Sequence, residues 1–172
     1  TAYEISARDW SSDVCSSDLW RLRKVRQINI YKYLMSQVLV DQGPDKGAIW
    51  HFGEPNQEQK FLAQGNAWAD LSHRAIISIA GEDRLTWLHA LTTQHLETLA
   101  PNVWKEALIL DPNGHIEHQF FLVDDGKKVW LQLDNEKKDD LVNYLEKMKF
   151  MMRVEITDQS SEYSVFKTQI GR

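Results

Sequence analysis

Residues 104–133 read WKEALILDPNGHIEHQFFLVDDGKKVWLQL. Three apolar runs are separated by two turn signals, Asp111-Pro112-Asn113-Gly114 and Asp124-Asp125-Gly126. Proline presets φ at the second turn position and glycine accepts the positive φ that closes the loop, so each signal reverses the chain. The spacing predicts strands over Trp104–Leu110, His115–Val123 and Lys128–Leu133, consecutive and antiparallel. Upstream, Arg74–Ala80 (RAIISIA) is apolar, β-branched and bounded by Gly81, hence a buried strand. Asp83 is placed to cap a helix over Arg84–Thr92, with Leu85, Leu88 and Leu91 on one face. Downstream, Glu136–Lys149 reads as a helix with Leu141, Tyr144, Leu145 and Met148 spaced for one buried stripe, and Arg153–Asp158 and Tyr163–Thr168 follow as strands.

Toward the N-terminus, Val38–Ile49 contains Gly43-Pro44 and Gly47 and reads as loop with short extended pieces. Pro55 suits a first helical turn, and Asn56–Gln64 continues the helix until Gly65. Helices set between antiparallel hairpins predict an α+β fold, an antiparallel sheet with hairpins and packed helices. Neither a glycine-rich phosphate loop nor an internal repeat is present. The chain has 172 residues, 42% of them hydrophobic and 26% charged, which suits one globular domain or a small two-domain protein. No window approaches the ~18 apolar residues of a membrane span. A net charge of −5 gives no global reason to bind nucleic acid or an anionic membrane, so neither is expected as a partner. Cys15 is the only cysteine, which excludes a disulfide framework within the chain.

Residues 1–19, TAYEISARDWSSDVCSSDL, have no hydrophobic periodicity. They resemble the in-frame translation of a sequencing-library adapter: Asp9–Leu19 match one stretch and Thr1–Ile5 another, with Ser6-Ala7-Arg8 in the barcode position. On that reading Cys15 is not biological. Ile170-Gly171-Arg172 fits the opposite adapter. Trp20–Leu34 is basic, through Arg21, Arg23, Lys24, Arg26 and Lys32, and the balance turns acidic from Met35 onward. Translated upstream sequence before a start at Met35 is preferred to a nucleic-acid-binding arm. The expected organisation is a non-native or upstream, disordered segment over 1–34, a truncated domain over 35–169, and an adapter remnant at 170–172.

The six histidines lack metal-ligand spacing. His115 and His118 are three apart on a strand, His89 and His95 straddle a helix end, and His51 and His73 stand alone, so no metal site is expected. Ser72 beside His73 does not by itself make a nucleophile and base. The polar stretch His115-Ile116-Glu117-His118-Gln119 is more informative, because it interrupts an apolar hairpin. Alternation puts His115, Glu117 and Gln119 on one face and Ile116, His118 and Phe120 on the other. His118 between apolar neighbours reads as a hydrogen-bonded core histidine or as a pocket-lining one.

Four motifs occur in order: Asp70-Leu71-Ser72-His73-Arg74, Gly81-Glu82-Asp83-Arg84-Leu85 with Trp87-Leu88, Leu91-Thr92-Thr93-Gln94, and Asp111-Pro112-Asn113-Gly114-His115-Ile116-Glu117-His118. Over about Gly47–Thr157 the chain resembles the N-terminal domain of YgfZ-type folate-binding proteins, relatives of the glycine-cleavage T-protein, and is most similar to actinobacterial members. The resemblance implies an α+β domain of a multidomain ring around a folate pocket, with tetrahydrofolate or a one-carbon derivative as cofactor. It also implies a cytoplasmic accessory role in iron–sulfur protein maturation and tRNA modification. The implied partners are folate, the C-terminal domains of the same protein and iron–sulfur client proteins. Ser72, His73, Glu117 and His118 become the polar pocket-lining candidates, and Trp87 and Leu88 are assigned to the core.

The chain departs from the aminomethyltransferases of that superfamily. Where they carry paired acidic residues after the hairpin turn, this sequence has His118 and Gln119, and Glu106 stands where they tend to have tyrosine. The carboxylate that would orient an aminomethyl group is missing, so aminomethyl transfer is disfavoured and no complete catalytic site is expected. The Lys-Gly-Cys-Tyr motif of the YgfZ group is absent too, as expected if it lies beyond residue 172. A one-carbon aminomethyltransferase and a non-catalytic interaction domain are the alternatives.

Overall fold

In a computed structural model the described residues are 20–24, 37–43 and 45–167. The adapter-like residues 1–19 with Cys15, and the terminal 170–172, lie outside them. The chain divides into two compact units, Arg74–Ser160 and the flanking residues 1–73 with 161–172.

In the flanking unit, β1 (Trp20–Lys24), β4 (Ala69–Asp70) and β10 (Tyr163–Lys167) form an antiparallel sheet with β10 in the centre. Trp20 pairs with Lys167, and Phe166 with Asp70. Trp20–Lys24 is thus strand within a segment expected to be unstructured. β2 (Val38–Leu39) and β3 (Ile49–His51) make a second, two-stranded ribbon. Helix α1 (Pro55–Ala63) starts at the proline that anticipated it. Its Glu58 carboxylate reaches back to accept the backbone N–H groups of Phe52 (2.9 Å) and Glu54 (3.0 Å), which satisfies donors the first turn leaves unpaired.

The central unit is one five-stranded antiparallel sheet in the order β6-β7-β8-β5-β9. Its strands are β5 (Ala75–Ala80), β6 (Lys105–Leu110), β7 (Ile116–Asp124), β8 (Lys128–Leu133) and β9 (Glu155–Asp158). The two hairpins follow the two turn signals, and Gly114 and Gly126 take positive φ (86° and 89°) as those turns require. Helices α2 (Arg84–Leu91) and α3 (Lys138–Met148) pack on one face of the sheet. There Trp87, Leu88, Leu141 and Leu145 meet Ile77, Ile79, Phe120, Leu122, Val129 and Leu131 in a continuous apolar core. Trp87 and Leu88 are core residues, as expected. The buried Trp87 indole N–H donates to the carbonyl of Met148, occupying an acceptor at the end of α3.

Three expectations are corrected. Asp83 precedes α2 but makes no side-chain cap. Its carboxylate instead accepts from Arg153, at Nε (3.0 Å), Nη2 (2.8 Å) and the backbone N–H (2.9 Å), because a charged fork with two parallel bonds outcompetes a single neutral donor. That pairing holds the Asp83 carboxyl below the usual carboxylate range. Met148 is 44% exposed rather than buried, since the last turn of α3 runs past the edge of the core. The alternation expected along His115–Phe120 is broken by a bulge. Ile109 pairs with His118 but Leu110 with Ile116, which leaves Glu117 as an extra residue and Ile116 60% exposed.

Two buried contacts set how α2 joins the sheet. Arg84 donates to the Asp124 carboxylate through Nε (2.8 Å) and Nη2 (3.2 Å), with side chains 15% and 3% exposed. Gly81, at φ +122°, lies so close to Arg153 that an added Cβ would stand 1.9 Å from its carbonyl oxygen. Gly81→Ala is therefore expected to cost about 3 kcal/mol or more in urea unfolding. Gly126→Ala, where a Cβ meets nothing within 4 Å, is expected to cost only about 1 kcal/mol of backbone strain. Equal losses at the two glycines would refute the close approach. Arg84→Met, which strands a buried carboxylate, should cost about 3–5 kcal/mol, with much of it restored in Arg84→Met/Asp124→Leu.

Candidate functional site

The sheet of the central unit has a second face, set by the pleat. Along β5, β8 and β7 the register aligns Ile76 with Gln132 and Gln132 with Phe121. The neighbouring row is Ser78, Trp130 and Val123. These side chains alternate with the core residues Ile77, Leu131 and Leu122, so they point away from α2 and α3.

This second face is buried yet carries unmatched polar groups. Gln132 is fully buried, and among the described residues neither its Oε1 nor its Nε2 has a hydrogen-bond partner. The Ser78 hydroxyl and Arg74 Nε are in the same condition. Each such group costs about 1–3 kcal/mol when unmatched; Arg74 and Gln132 stand near the end of the sheet where Ala75 pairs with Leu133, and Ser78 lies at mid-strand.

A cavity of about 200 Å³ is lined by Arg74, Gln119, Phe120, Phe121 and Asp134. Arg74 Nη2 donates to Asp134 Oδ1 at 2.8 Å, which fixes the guanidinium at the rim. Gln119 donates its amide N–H to the Glu106 carboxylate across the β6–β7 pair. A guanidinium, its Asp134 partner and a primary amide make the lining mainly polar, with Phe120 and Phe121 beside them. The arrangement suits a flat polar edge that carries both donors and acceptors. It holds no nucleophile–base pair.

The residues expected from the sequence distribute differently. Glu117 is exposed at the bulge. His118 is half-buried on the helix side of β7, its ring 5.4 Å from that of Tyr144 on α3. Its Nδ1 has no hydrogen-bond partner among the described residues. Burial lowers its pKa below 6.5, with Glu117 and Asp140 opposing the shift and Lys137 reinforcing it. His118 does not line the cavity, whereas its neighbour Gln119 does. Ser72 and His73 belong to the flanking unit. The Ser72 N–H donates to Asp70 Oδ1 at 2.8 Å, and the His73 side chain, 11% exposed, has Nε2 3.6 Å from Asp45 Oδ1.

Arg74 and Asp134 were missed as site residues because they meet only through strand register, which spacing along the chain does not give. Their signal was their position, a charge just outside each of two apolar runs. His89, His95 and Glu97 also come together, with ligand atoms all within 4.8 Å of one another, where no metal-binding set was expected. Among the described residues, no helix is long and apolar enough to cross a membrane.

No protein-family model and no curated protein sequence matches this chain. Among solved structures it is similar to glycine cleavage system aminomethyltransferase T from Bartonella henselae, with a TM-score of 0.62 and 11% identity. The likeness is one of fold. It covers 86% of this chain and 41% of that one, so the chain spans about two fifths of that protein's length. The α+β architecture implied by the motif resemblance is therefore the one observed.

The depressed pKa of His118 has a consequence for stability. Above about pH 6.5 the ring is neutral in both folded and unfolded chains, and its contribution is complete. As pH falls from 6.5 through the lower folded value, the unfolded chain binds the proton first and that stability is lost. An NMR titration should place His118 below 6.5. His118→Leu should flatten the slope of unfolding free energy in that window; a folded value above 6.5 would contradict the desolvated placement.

Proposed function

We propose that this chain binds tetrahydrofolate or a one-carbon derivative as part of a YgfZ-type protein, serving iron–sulfur protein maturation and tRNA modification in the cytoplasm. The fold likeness to aminomethyltransferase T is the observation that carries the reading. The ordered motifs of the hairpin and of the Gly81–Leu88 region add to it. Further domains of the longer protein and iron–sulfur client proteins are its proposed partners.

The residues present are compatible with one end of such a ligand. At about 200 Å³ the cavity is smaller than the roughly 300–1,000 Å³ of pockets that enclose drug-sized molecules, so it would take a polar end and leave the remainder outside. Arg74 would donate to a ring carbonyl, and Gln119 would pair with an amide-like edge. Phe121 would supply the apolar wall. When bound, tetrahydrofolate supplies the ring nitrogens that carry a one-carbon unit. Ser72, His73, Glu117 and His118 stay candidates on the resemblance alone.

On the motif resemblance, His118 and Gln119 stand where the aminomethyltransferases carry paired acidic residues, and that departure favours binding over aminomethyl transfer. Calorimetric titration with tetrahydrofolate is expected to show saturable binding, weakened about tenfold by Arg74→Met or Gln119→Leu through loss of a ligand hydrogen bond. No heat at high micromolar ligand would reject the reading. The aminomethyltransferase alternative predicts folate-dependent ammonia release from an aminomethyl carrier protein, and lack of turnover would remove it. Unchanged affinity on substituting Arg74, Gln119, Glu117 and His118 in turn would favour an interaction domain.

A further inference from the structure

The C-terminus of α2 and the loop after it carry chemistry that the folate reading does not use. His89 lies in the last turn of α2, and His95 and Glu97 lie six and eight residues on. The loop between them is fastened at several points. The Thr92 N–H and hydroxyl both bond to the Leu88 carbonyl, at 3.1 and 2.9 Å. Thr93 N–H donates to the Leu108 carbonyl at 3.0 Å, and Leu108 N–H donates back to the Thr93 hydroxyl at 3.3 Å. Leu96 is fully buried in the core. With Leu96 anchored inward, its neighbours His95 and Glu97 are both left exposed.

The result is a convergent set of three donors. One ligand atom from each of His89, His95 and Glu97 lies within 4.8 Å of the other two. The two imidazoles meet edge to face, with centroids 4.7 Å apart and planes at 86°. His89 Nδ1 stands 3.1 Å from the Gln94 carbonyl oxygen. A carbonyl only accepts, so Nδ1 is the donor in this contact and Nε2 is the nitrogen left to face a metal. That is how a metal-ligating histidine is oriented by a partner on its other nitrogen.

We propose that His89, His95 and Glu97 form a binding site for a zinc-class divalent transition metal. Two imidazoles and one carboxylate are the donor mix such ions prefer over magnesium or calcium. Donors around one tetrahedral ion stand about 3.3 Å apart, given metal–nitrogen bonds of about 2.0–2.1 Å. Closing from 4.8 Å takes about an ångström of movement by each of the exposed His95 and Glu97 side chains, within reach of a χ rotation. His89, half-buried and tied to Gln94, is the fixed point. Three protein ligands leave a further coordination position open to water or an external donor.

The test uses the full chain carrying Cys15→Ser, so that the thiol cannot supply a ligand, freed of metal by chelator and titrated with Zn²⁺ against a chromophoric competitor. The expected result is one high-affinity equivalent per chain, weakened about tenfold or more by His89→Ala, by His95→Ala and by Glu97→Gln. Co²⁺ should give the visible absorption of a low-coordinate site in the parent and lose it in the variants. Circular dichroism without metal should be unchanged for Glu97→Gln and His95→Ala, both at exposed positions, so their loss of binding cannot be ascribed to unfolding. A single equivalent that survives in His89→Ala/His95→Ala would overturn the proposal. So would failure of the parent to bind stoichiometrically, leaving only weak, unsaturating association.

Discussion

The Arg84–Asp124 pair is the constraint on which the central unit depends. Asp124 ends β7, and its carboxylate takes both prongs of the Arg84 guanidinium together with the Gly126 N–H. Its carbonyl accepts from Asn102, and Arg84 also donates to the Gly81 carbonyl. One buried ion pair therefore joins the start of α2, the β7–β8 turn, the loop before β6 and the end of β5. Charges this far from water are tolerated only when geometry and added hydrogen bonds offset their desolvation, and here every donor is directional. The direction of α2 follows from that anchor. So does the position of His89 at its far end.

The two faces of the sheet then take different roles. One is covered by α2 and α3 and is apolar, with His118 half-buried at its margin and its pKa lowered by burial. The other buries Ser78 and Gln132 without matching them and ends at the cavity rimmed by Arg74, Asp134 and Gln119. A protein under selection for stability alone would carry leucine or valine at such positions, since apolar groups of similar size avoid the penalty. Gln132 and Ser78 stay beneath the surface, whereas Arg74, Gln119 and Phe121 reach the cavity.

Much of the architecture was legible because it is encoded locally. Asp111-Pro112-Asn113-Gly114 closes its hairpin through torsion preferences that need no tertiary support. The apolar period of Leu141 and Leu145 finds the buried side of α3. Legibility failed where a long-range partner competed with a local one. Asp83 has the chemistry of a cap, but Arg153, seventy residues away, takes its carboxylate. The sequence around Glu117 reads as uninterrupted alternation, yet a one-residue bulge at Glu117 shifts the partner of Ile116 and leaves Ile116 exposed. Of the expected site residues, His118 turned toward Tyr144, and the adjacent Gln119 took the cavity.

From the sequence alone came the main strands and helices of the central unit, the antiparallel hairpins and the α+β class. Each rests on torsion preference, hydrophobic period or residue identity, and all of these act over a few residues. Only the tertiary structure decided which side chains share a site. Arg74 meets Asp134 through the β5–β8 register, and His89, His95 and Glu97 converge because Leu96 is pulled into the core. Register and loop anchoring are set by the summed burial of residues far apart in the chain. No local pattern carries that information.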